Sequence, residues 1–211
     1  MAKKVLIVGA TGGTGRSLVE QALTAGHSVT AFVRNPEKVG RHHERLRVVA
    51  GDAASGAPSL SQAMRGQDAV ISALGRGQSF KADSLIQRSV PHLLAAMQEH
   101  GVRRLVFTSA LGVAETVQQI PLMMLVFARL LLRDIYADKA AGEALIRRSG
   151  LEWTIVHPAG LTNGPLTGTY RAGERLALRG FPTISRADTA HFLISQLDDR
   201  SYIGKVVVIA T

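Results

Sequence analysis

The sequence predicts an α/β protein built around one doubly wound, parallel sheet. Short, nearly continuous apolar runs alternate with segments of helical periodicity along the chain, which is typical of buried parallel strands joined by helices. A glycine-rich turn directly follows the first apolar run, as in sheets that bind a ligand at their carboxyl edge. A chain of 211 residues can bury one substantial core. We therefore expect a single domain of the Rossmann type over residues 1–211.

The predicted strands are short runs rich in valine and isoleucine, which suit a sheet that is covered on both faces. Right-handed crossovers through the intervening helices then lead to the doubly wound arrangement. The strands are expected at residues 5–8, 28–33, 46–50, 69–74, 104–108, 153–156 and 205–209.

The predicted helices are bounded by capping signals. The last one begins with Ser185 and Asp188, in the Ser-x-x-Asp arrangement of an N-terminal cap. Pro91 lies inside the second helix, where we expect a bend. Glycines that can end a helix follow the first three, at Gly26, Gly101 and Gly150. The helices are expected at residues 16–25, 83–99, 121–148 (in one piece or two) and 185–197.

The glycine-rich turn at residues 9–15 is the most informative element. A strand that passes through such a turn into a helix directs free backbone N–H groups and the positive helix end at one point. Gly9 permits the tight turn, Gly12 lets the backbone approach a phosphate, and Gly15 lets the helix pack against the strand. The turn therefore predicts a pyrophosphate site for a dinucleotide. The expected contacts are Gly9, Thr11, Gly12, Gly13, Thr14 and Gly15.

Arg34 closes the second predicted strand, about twenty residues after the turn, where dinucleotide folds contact the adenosine ribose. A carboxylate there would bind a free 2′-hydroxyl, whereas a guanidinium can hold a 2′-phosphate through two charge-assisted hydrogen bonds. Residues 26–36 contain no aspartate or glutamate, and Lys38 adds positive charge nearby. The pattern favours NADP(H) over NAD(H). An ordinary solvated arginine is the alternative.

Residues after the third and fourth strands should contact the adenosine half of the cofactor, because such ligands lie across the carboxyl ends of the strands. Asp52 and Ala53 follow the third strand, where the carboxylate can accept from the adenine amino group or form a turn. Leu74, Gly75 and Arg76 follow the fourth strand, where the glycine lets the backbone lie close to a ribose.

The nicotinamide and the substrate pocket are expected between the segments that follow the fifth and sixth strands. Thr108 and Ser109 form one wall, and Pro158, Ala159 and Gly160 form the other. Ser109 is the candidate catalytic residue, because its hydroxyl can orient the carboxamide, the acceptor or a water molecule. A cap for the turn after the strand is the alternative.

A series of short motifs extends these observations: Gly9-Ala10-Thr11-Gly12-Gly13-Thr14-Gly15, Val33-Arg34 with Lys38, Gly51-Asp52, Thr108-Ser109-Ala110, Ser149-Gly150-Leu151, and Pro165-Leu166-Thr167-Gly168 with Tyr170. In this order they resemble atypical short-chain dehydrogenases/reductases, in particular the NAD(P)H-binding family that includes biliverdin reductase B, also called flavin reductase. The resemblance covers nearly the whole chain. It implies NADPH as cofactor, reduction of flavins or linear tetrapyrroles, Arg34 at the 2′-phosphate and Ser109 near the nicotinamide. The biliverdin-reducing enzyme has a histidine in place of Gly160, so we do not expect tetrapyrrole specificity.

The usual acid of short-chain dehydrogenases is a tyrosine followed four residues later by a lysine that lowers its pKa. Here Tyr136 precedes Lys139 by three positions, so the pair lacks the usual arrangement. We expect Tyr136 to be packed and Lys139 to be solvated, with an acid role for the pair as the alternative. Hydride transfer to a flavin, a quinone or a related conjugated acceptor needs no strong acid. An NADPH-dependent reductase of such acceptors is the leading interpretation. The alternative is a non-catalytic NADP(H)-binding redox sensor or regulator that acts through a protein partner.

Two other classes of function are disfavoured. A serine hydrolase using Ser109, His157 and an aspartate would lack the Gly-x-Ser-x-Gly turn and would leave the glycine-rich turn unexplained. The net charge of +9 invites a nucleic-acid interpretation, but the cations are scattered over several elements without interleaved aromatics. His42 and His43 are adjacent and would point apart, so no metal site is expected.

The longest apolar stretch covers residues 120–132 and is interrupted by Arg129. It is shorter than the roughly twenty residues of a membrane-spanning helix. We expect it to lie in the core or in a homodimer contact, with a pocket wall or a membrane-surface contact as alternatives. The absence of cysteine and the entry into a strand directly after Met1 favour a cytoplasmic protein without a cleaved leader.

Overall fold

The computed structural model describes residues 1–56, 58–75, 84–120 and 132–211. Its strands are β1 (Lys4–Val8), β2 (Ser28–Val33), β3 (Leu46–Ala50), β4 (Ala69–Ser72), β5 (Arg104–Thr108), β6 (Glu152–Pro158), β7 (Gly160–Thr162), β8 (Arg171–Gly173), β9 (Thr183–Ser185) and β10 (Lys205–Ala210). The helices are α1 (Gly13–Thr24), α2 (Pro58–Met64), α3 (Leu85–Glu99), α4 (Arg133–Arg147) and α5 (Arg186–Ser195). Two 3₁₀ helices span Pro36–Lys38 and Ala114–Gln119.

The central sheet has eight strands in the order β3-β2-β1-β4-β5-β6-β10-β8. Every pair from β3 to β10 is parallel, and β1 lies between β2 and β4, where the chain changes direction across the sheet. The strand β8 runs antiparallel to β10 at one edge, so the expectation of an entirely parallel sheet is wrong at that position. The predicted α/β fold with a doubly wound sheet is confirmed.

Helices cover both faces of this sheet, and each face has its own apolar core. The alternation along β1 shows the division, because Val5 and Ile7 belong to the core beneath α1 and α5, whereas Leu6 and Val8 belong to the core beneath α2, α3 and α4. All four side chains are at most 1% exposed. Burial of each such side chain contributes about 1.5–3 kcal/mol relative to exposure.

The structure extends the predicted elements and adds short ones. Helix α1 begins at Gly13 rather than at Arg16, because Gly12 occupies the N-cap and the glycine-rich residues already form the first turn. The cap predicted at Ser185 is present, with its side chain accepting from the N–H of Asp188. The prediction missed α2, β7, β8 and β9, which are too short to show a clear periodicity.

Several predictions fall outside the described residues. They concern Arg76, the first residue of the helix expected at 83–99, and most of the apolar stretch 120–132 with the first part of the helix expected from 121. At the described ends of that stretch, Ile120 belongs to the core beneath α1 and Leu132 precedes α4. Among the residues that are described, no helix has the length and apolar character needed to cross a membrane.

Candidate functional site

A cleft of about 380 Å³ opens at the carboxyl edge of the sheet, where the first two βα units meet the end of β4. It is lined by the glycine-rich turn and by the segments after β2, β3 and β4, which belong to neighbouring strands of the sheet. The structure brings together nine of the predicted cofactor contacts at this cleft: Gly9, Thr11, Gly12, Arg34, Lys38, Asp52, Ala53, Leu74 and Gly75.

The turn itself has the geometry of a phosphate cradle. Gly9 has a φ of +86°, and a Cβ atom placed on it would lie 2.7 Å from the carbonyl oxygen of Ala73, so only glycine fits. A Cβ atom on Gly15 would overlap the carbonyl oxygen of Gly9. No side chain caps α1 at Gly12, and its first turn contains no acidic residue. The N–H groups at this helix end are therefore available to an anionic ligand.

The rim of the cleft is strongly cationic. Arg16, Arg34 and Lys38 line it, and Asp52 is the one carboxylate among its described lining residues. Oδ1 of Asp52 accepts from the N–H of Ala54 at 3.0 Å, which is the turn-forming role that was the alternative to a contact with adenine. One carboxylate oxygen remains for a ligand. The balance of charge favours a polyanionic ligand.

The predicted nicotinamide walls lie side by side, outside the cleft just described. The N–H of Ser109 donates to the carbonyl oxygen of Val156 at 2.8 Å, and that of Leu111 donates to Pro158 at 3.1 Å. Ala159 is buried, whereas Gly160 is exposed at the start of β7. The hydroxyl oxygen of Thr108, at the end of β5, is buried and has no hydrogen-bond partner among the described residues. A polar ligand group could satisfy it.

Ser109 joins this wall to a buried polar cluster that was not predicted from the sequence and that also contains Thr116, Glu143 and His157. Each of these side chains is at most 5% exposed. Ser109 donates its hydroxyl proton to Oε1 of Glu143 at 2.5 Å, and Nε2 of His157 lies 2.9 Å from the same oxygen. Nδ1 of His157 lies 2.8 Å from the hydroxyl oxygen of Thr116. The carboxylate thus stands between the serine and the histidine.

This order differs from that of a hydrolytic triad, in which the histidine contacts the serine directly. The second oxygen of Glu143 lies 3.5 Å from the guanidinium of Arg147, which also binds Glu115 at 2.7 Å. Burial opposes ionisation of Glu115, but the hydrogen bond from Arg147 keeps the pKa of that carboxyl below its ordinary value. The cluster is therefore internally paired, and its geometry does not support the hydrolase alternative.

Tyr136 is also engaged. Its hydroxyl donates to the carbonyl oxygen of Leu111 at 3.0 Å, and burial raises the pKa of the phenol above its ordinary value. The side chain is half-buried, in agreement with the expectation that it is packed. Like Ser109, Tyr136 has its proton bound to a group of the protein.

The Pro-Leu-Thr-Gly motif is held by Asp188, whose carboxylate accepts from the N–H groups of Thr167 and Gly168 at 2.8 Å. Burial opposes ionisation of Asp188, but these N–H groups and the hydroxyls of Ser185 and Thr167 keep its pKa below the ordinary value. Burial and the charge of Asp188 together raise the pKa of nearby Tyr170 to about 12. The motif thus forms a loop fixed to the start of α5.

The remaining predicted contacts lie around the turn. Thr14 and Gly15 are buried in the first turn of α1, and Gly13 is exposed beside Arg186. No cluster of potential metal ligands, including one at His42 and His43, occurs within the described parts of the chain.

A family description of NAD(P)H-binding proteins matches residues 9–200, which includes the turn, the cleft and both predicted nicotinamide walls. The chain belongs to this NAD(P)H-binding family. The family membership suggested by the motifs is thereby confirmed, and the family's ligand agrees with a cleft that presents free N–H groups and cations.

Relatives in sequence have diverse names. The chain is 32% identical over 79% of its length to an uncharacterized chloroplastic protein of Arabidopsis thaliana, of which it spans 62%. It is 30% identical over 94% of its length to the uncharacterized sugar epimerase YhfK of Bacillus subtilis, of which it spans 89%. It is 34% identical over 79% of its length to the photosystem II assembly factor Ycf39 of Synechocystis, of which it spans 47%.

Solved structures share the fold along the whole chain. A candidate NAD-dependent epimerase/dehydratase of Bacillus halodurans aligns with a TM-score of 0.83 at 27% identity, covering 100% of this chain and 94% of that one. A short-chain dehydrogenase/reductase of Veillonella parvula in complex with NADP aligns with a TM-score of 0.81 at 20% identity, covering 100% of this chain and 95% of that one. ChuY, an anaerobilin reductase of Escherichia coli O157:H7, aligns with a TM-score of 0.80 at 21% identity, covering 98% of this chain and 96% of that one.

Proposed function

We propose that this protein is an NADPH-dependent reductase that transfers hydride to a flavin, a quinone or a related conjugated acceptor. The observation that carries the proposal is the cleft, where a glycine turn with free N–H groups lies next to the cationic rim. The chain's membership in the NAD(P)H-binding family supports the same ligand.

The preference for NADP(H) is supported by the end of β2. Arg34 and Lys38 are exposed on the cleft and make no ion pair among the described residues, so both are available to a 2′-phosphate. Asp52 follows the next strand, β3, and its unengaged oxygen can accept from the adenine. We assign Arg34 and Lys38 to the 2′-phosphate and the turn to the pyrophosphate.

The class of acceptor is supported by the hydrogen bonds that two hydroxyl groups near the predicted nicotinamide walls donate within the protein. The bound cofactor supplies the hydride. Ser109 and Tyr136 both give their protons to acceptors within the protein, so neither is a free acid in this state. Acceptors that take hydride without prior protonation suit such a site. With its proton held by Glu143, Ser109 can accept a hydrogen bond, for example from a carboxamide, and thereby orient the ligand.

The second candidate function is an NADP(H)-binding regulator that acts through a protein partner. It is favoured by the similarity to Ycf39, which is named as an assembly factor, and by the engaged protons of Ser109 and Tyr136. A homodimer through residues 120–132 stays a prediction, because most of that segment is outside the described residues. A cytoplasmic location also stays a prediction, because one relative is chloroplastic.

Consumption of NADPH by the purified protein, in parallel with NADH, separates the two functions. The panel of acceptors is FMN, FAD, riboflavin, a short quinone and biliverdin, with nucleotide binding followed on the same sample. Turnover with any acceptor supports the reductase. Tight NADPH binding without turnover favours the regulator, and failure to bind either nucleotide contradicts both functions.

A further inference from the structure

The guanidinium of Arg186 lies against the phosphate-binding turn, although it is far from the turn in sequence. A Cβ atom placed on Gly13 would lie 2.5 Å from Cδ and 2.7 Å from Nε of Arg186. Gly13 is the first residue of α1, and the Cα–Cβ bond of a helical residue tilts toward the helix N-terminus. The arginine side chain therefore crosses the end of α1 at the place where Gly13 leaves room for it.

This position is electrostatically unfavourable for a cation without an anion nearby. Arg186 is the first residue of α5, so it lies at the positive ends of both α1 and α5. Its hydrogen bonds go to neutral groups, with NH1 2.7 Å from Oδ1 of Asn163 and 3.5 Å from the carbonyl oxygen of Leu161. None of the ion pairs between described residues includes Arg186, and Nε and NH2 are left for another acceptor.

The topology indicates which part of a dinucleotide would provide that acceptor. Arg34 approaches the turn from β2, on the side assigned to the adenosine half. Arg186 follows β9, which pairs with β7, the strand that begins directly after β6. It therefore reaches the end of α1 from the side of β6, where the nicotinamide half is expected.

We propose that Arg186 is a second cationic contact of the bound dinucleotide and binds the phosphate of its nicotinamide half. The inference rests on the proposed cofactor. It also gives Gly13 a specific role, because any side chain at that position would displace the guanidinium. The bond from the same guanidinium to Asn163 fixes the segment after β7 beside the ligand.

Titration with two different nucleotides distinguishes the proposed contact of Arg186 from that of Arg34. NADPH has both halves, whereas adenosine 2′,5′-bisphosphate has the 2′-phosphate and the adenosine-side phosphate but lacks the nicotinamide-side phosphate. Both are titrated into wild-type protein, Arg186→Gln, Arg186→Lys and Arg34→Gln. Arg65→Gln, which removes an exposed cation at the amino-terminal edge of the sheet, is the matched control.

Arg186→Gln should weaken NADPH binding about tenfold and change bisphosphate binding less than about twofold, because a charge-assisted hydrogen bond to one phosphate is lost. Arg186→Lys should recover part of the NADPH affinity. Arg34→Gln should weaken both ligands, and Arg65→Gln neither. Without nucleotide, the melting temperature of Arg186→Gln should stay within about 2 °C of wild type, as for a residue whose role is in binding.

Three results for Arg186→Gln would each overturn the inference. They are equal weakening of both ligands, an NADPH affinity equal to that of Arg65→Gln, and a large loss of thermal stability. In those cases the Arg34 result still supports the cofactor proposal. If wild-type protein binds neither ligand, the proposed function fails together with the inference.

Discussion

The cofactor cleft and the buried cluster around Glu143 differ in whether their polar groups have partners within the protein. The cleft leaves N–H groups at the start of α1 uncapped, and its described lining has three cations near one carboxylate. The buried cluster around Glu143, which includes Ser109, pairs its donors and acceptors internally. Unsatisfied polarity at a surface indicates a ligand, whereas fully paired polarity in the interior stabilises the position of a wall. Substitutions in the two regions should therefore change different measurements.

Loss of the Glu143 carboxylate should have the largest effect, and it should be on stability. Glu143→Ala leaves the buried side chains of Ser109 and His157 without their shared acceptor, whereas Arg147 keeps its bond to Glu115. We expect the free energy of unfolding to fall by about 3–5 kcal/mol, measured by urea denaturation. Glu115→Ala is the matched control, because it removes a half-exposed carboxylate that binds the same arginine, and it should cost less than about 1 kcal/mol. Equal losses would show that the buried cluster is not a stabilising unit.

Charge reversal at Arg34 should affect binding instead. Arg34→Glu removes the bidentate partner of a 2′-phosphate and adds repulsion, so NADPH binding should weaken about 100-fold or more, with NADH binding nearly unchanged. Fluorescence titration of both nucleotides measures the two affinities. The same reversal at Arg65 should change neither affinity. Similar losses for NADPH and NADH would contradict the assignment to the 2′-phosphate.

Asp188 should show a smaller, pH-dependent effect on stability. Because its pKa is lowered in the folded protein, the charged carboxylate stabilises the fold above the unfolded pKa of about 3.9, and this contribution disappears as pH falls through the folded value. Asp188→Asn should therefore cost about 1–3 kcal/mol at pH 7 and progressively less below pH 4. Urea unfolding across this range tests the sign. The exposed Asp198→Asn is the control, and a constant difference at all pH values would refute the charge-based explanation.

Ser109 should give the smallest change, because its hydroxyl is proposed to orient the ligand without donating a proton to it. Ser109→Ala should lower turnover with any active acceptor by about fivefold, which corresponds to one hydrogen bond of roughly 1 kcal/mol. Ser61→Ala, in α2, should leave turnover unchanged. A change smaller than about twofold would assign Ser109 to the buried cluster alone, as a structural residue.

The sequence predicted the residues of the cleft better than the contacts of the nicotinamide walls beside it, for a physical reason. The turn and Arg34 owe their positions to one βαβ unit, so their spacing along the chain carries the signal. Glu143 and His157 meet only after α4 packs beside β6, and as separate residues they look like an exposed helix charge and a strand histidine. Arg186 meets Gly13 through contacts between the two ends of the chain. Local pattern does not encode such pairs.

The close approach of Gly9 to the carbonyl oxygen of Ala73 also has a kinetic meaning. The floor of the cleft exists only when β4 has paired with β1, since the contact joins two segments that are distant along the chain. Such non-local pairings form more slowly than a local βαβ unit. Recovery of nucleotide affinity during refolding therefore marks the arrival of β4 at the centre of the sheet rather than the formation of the turn that gives the family its signature.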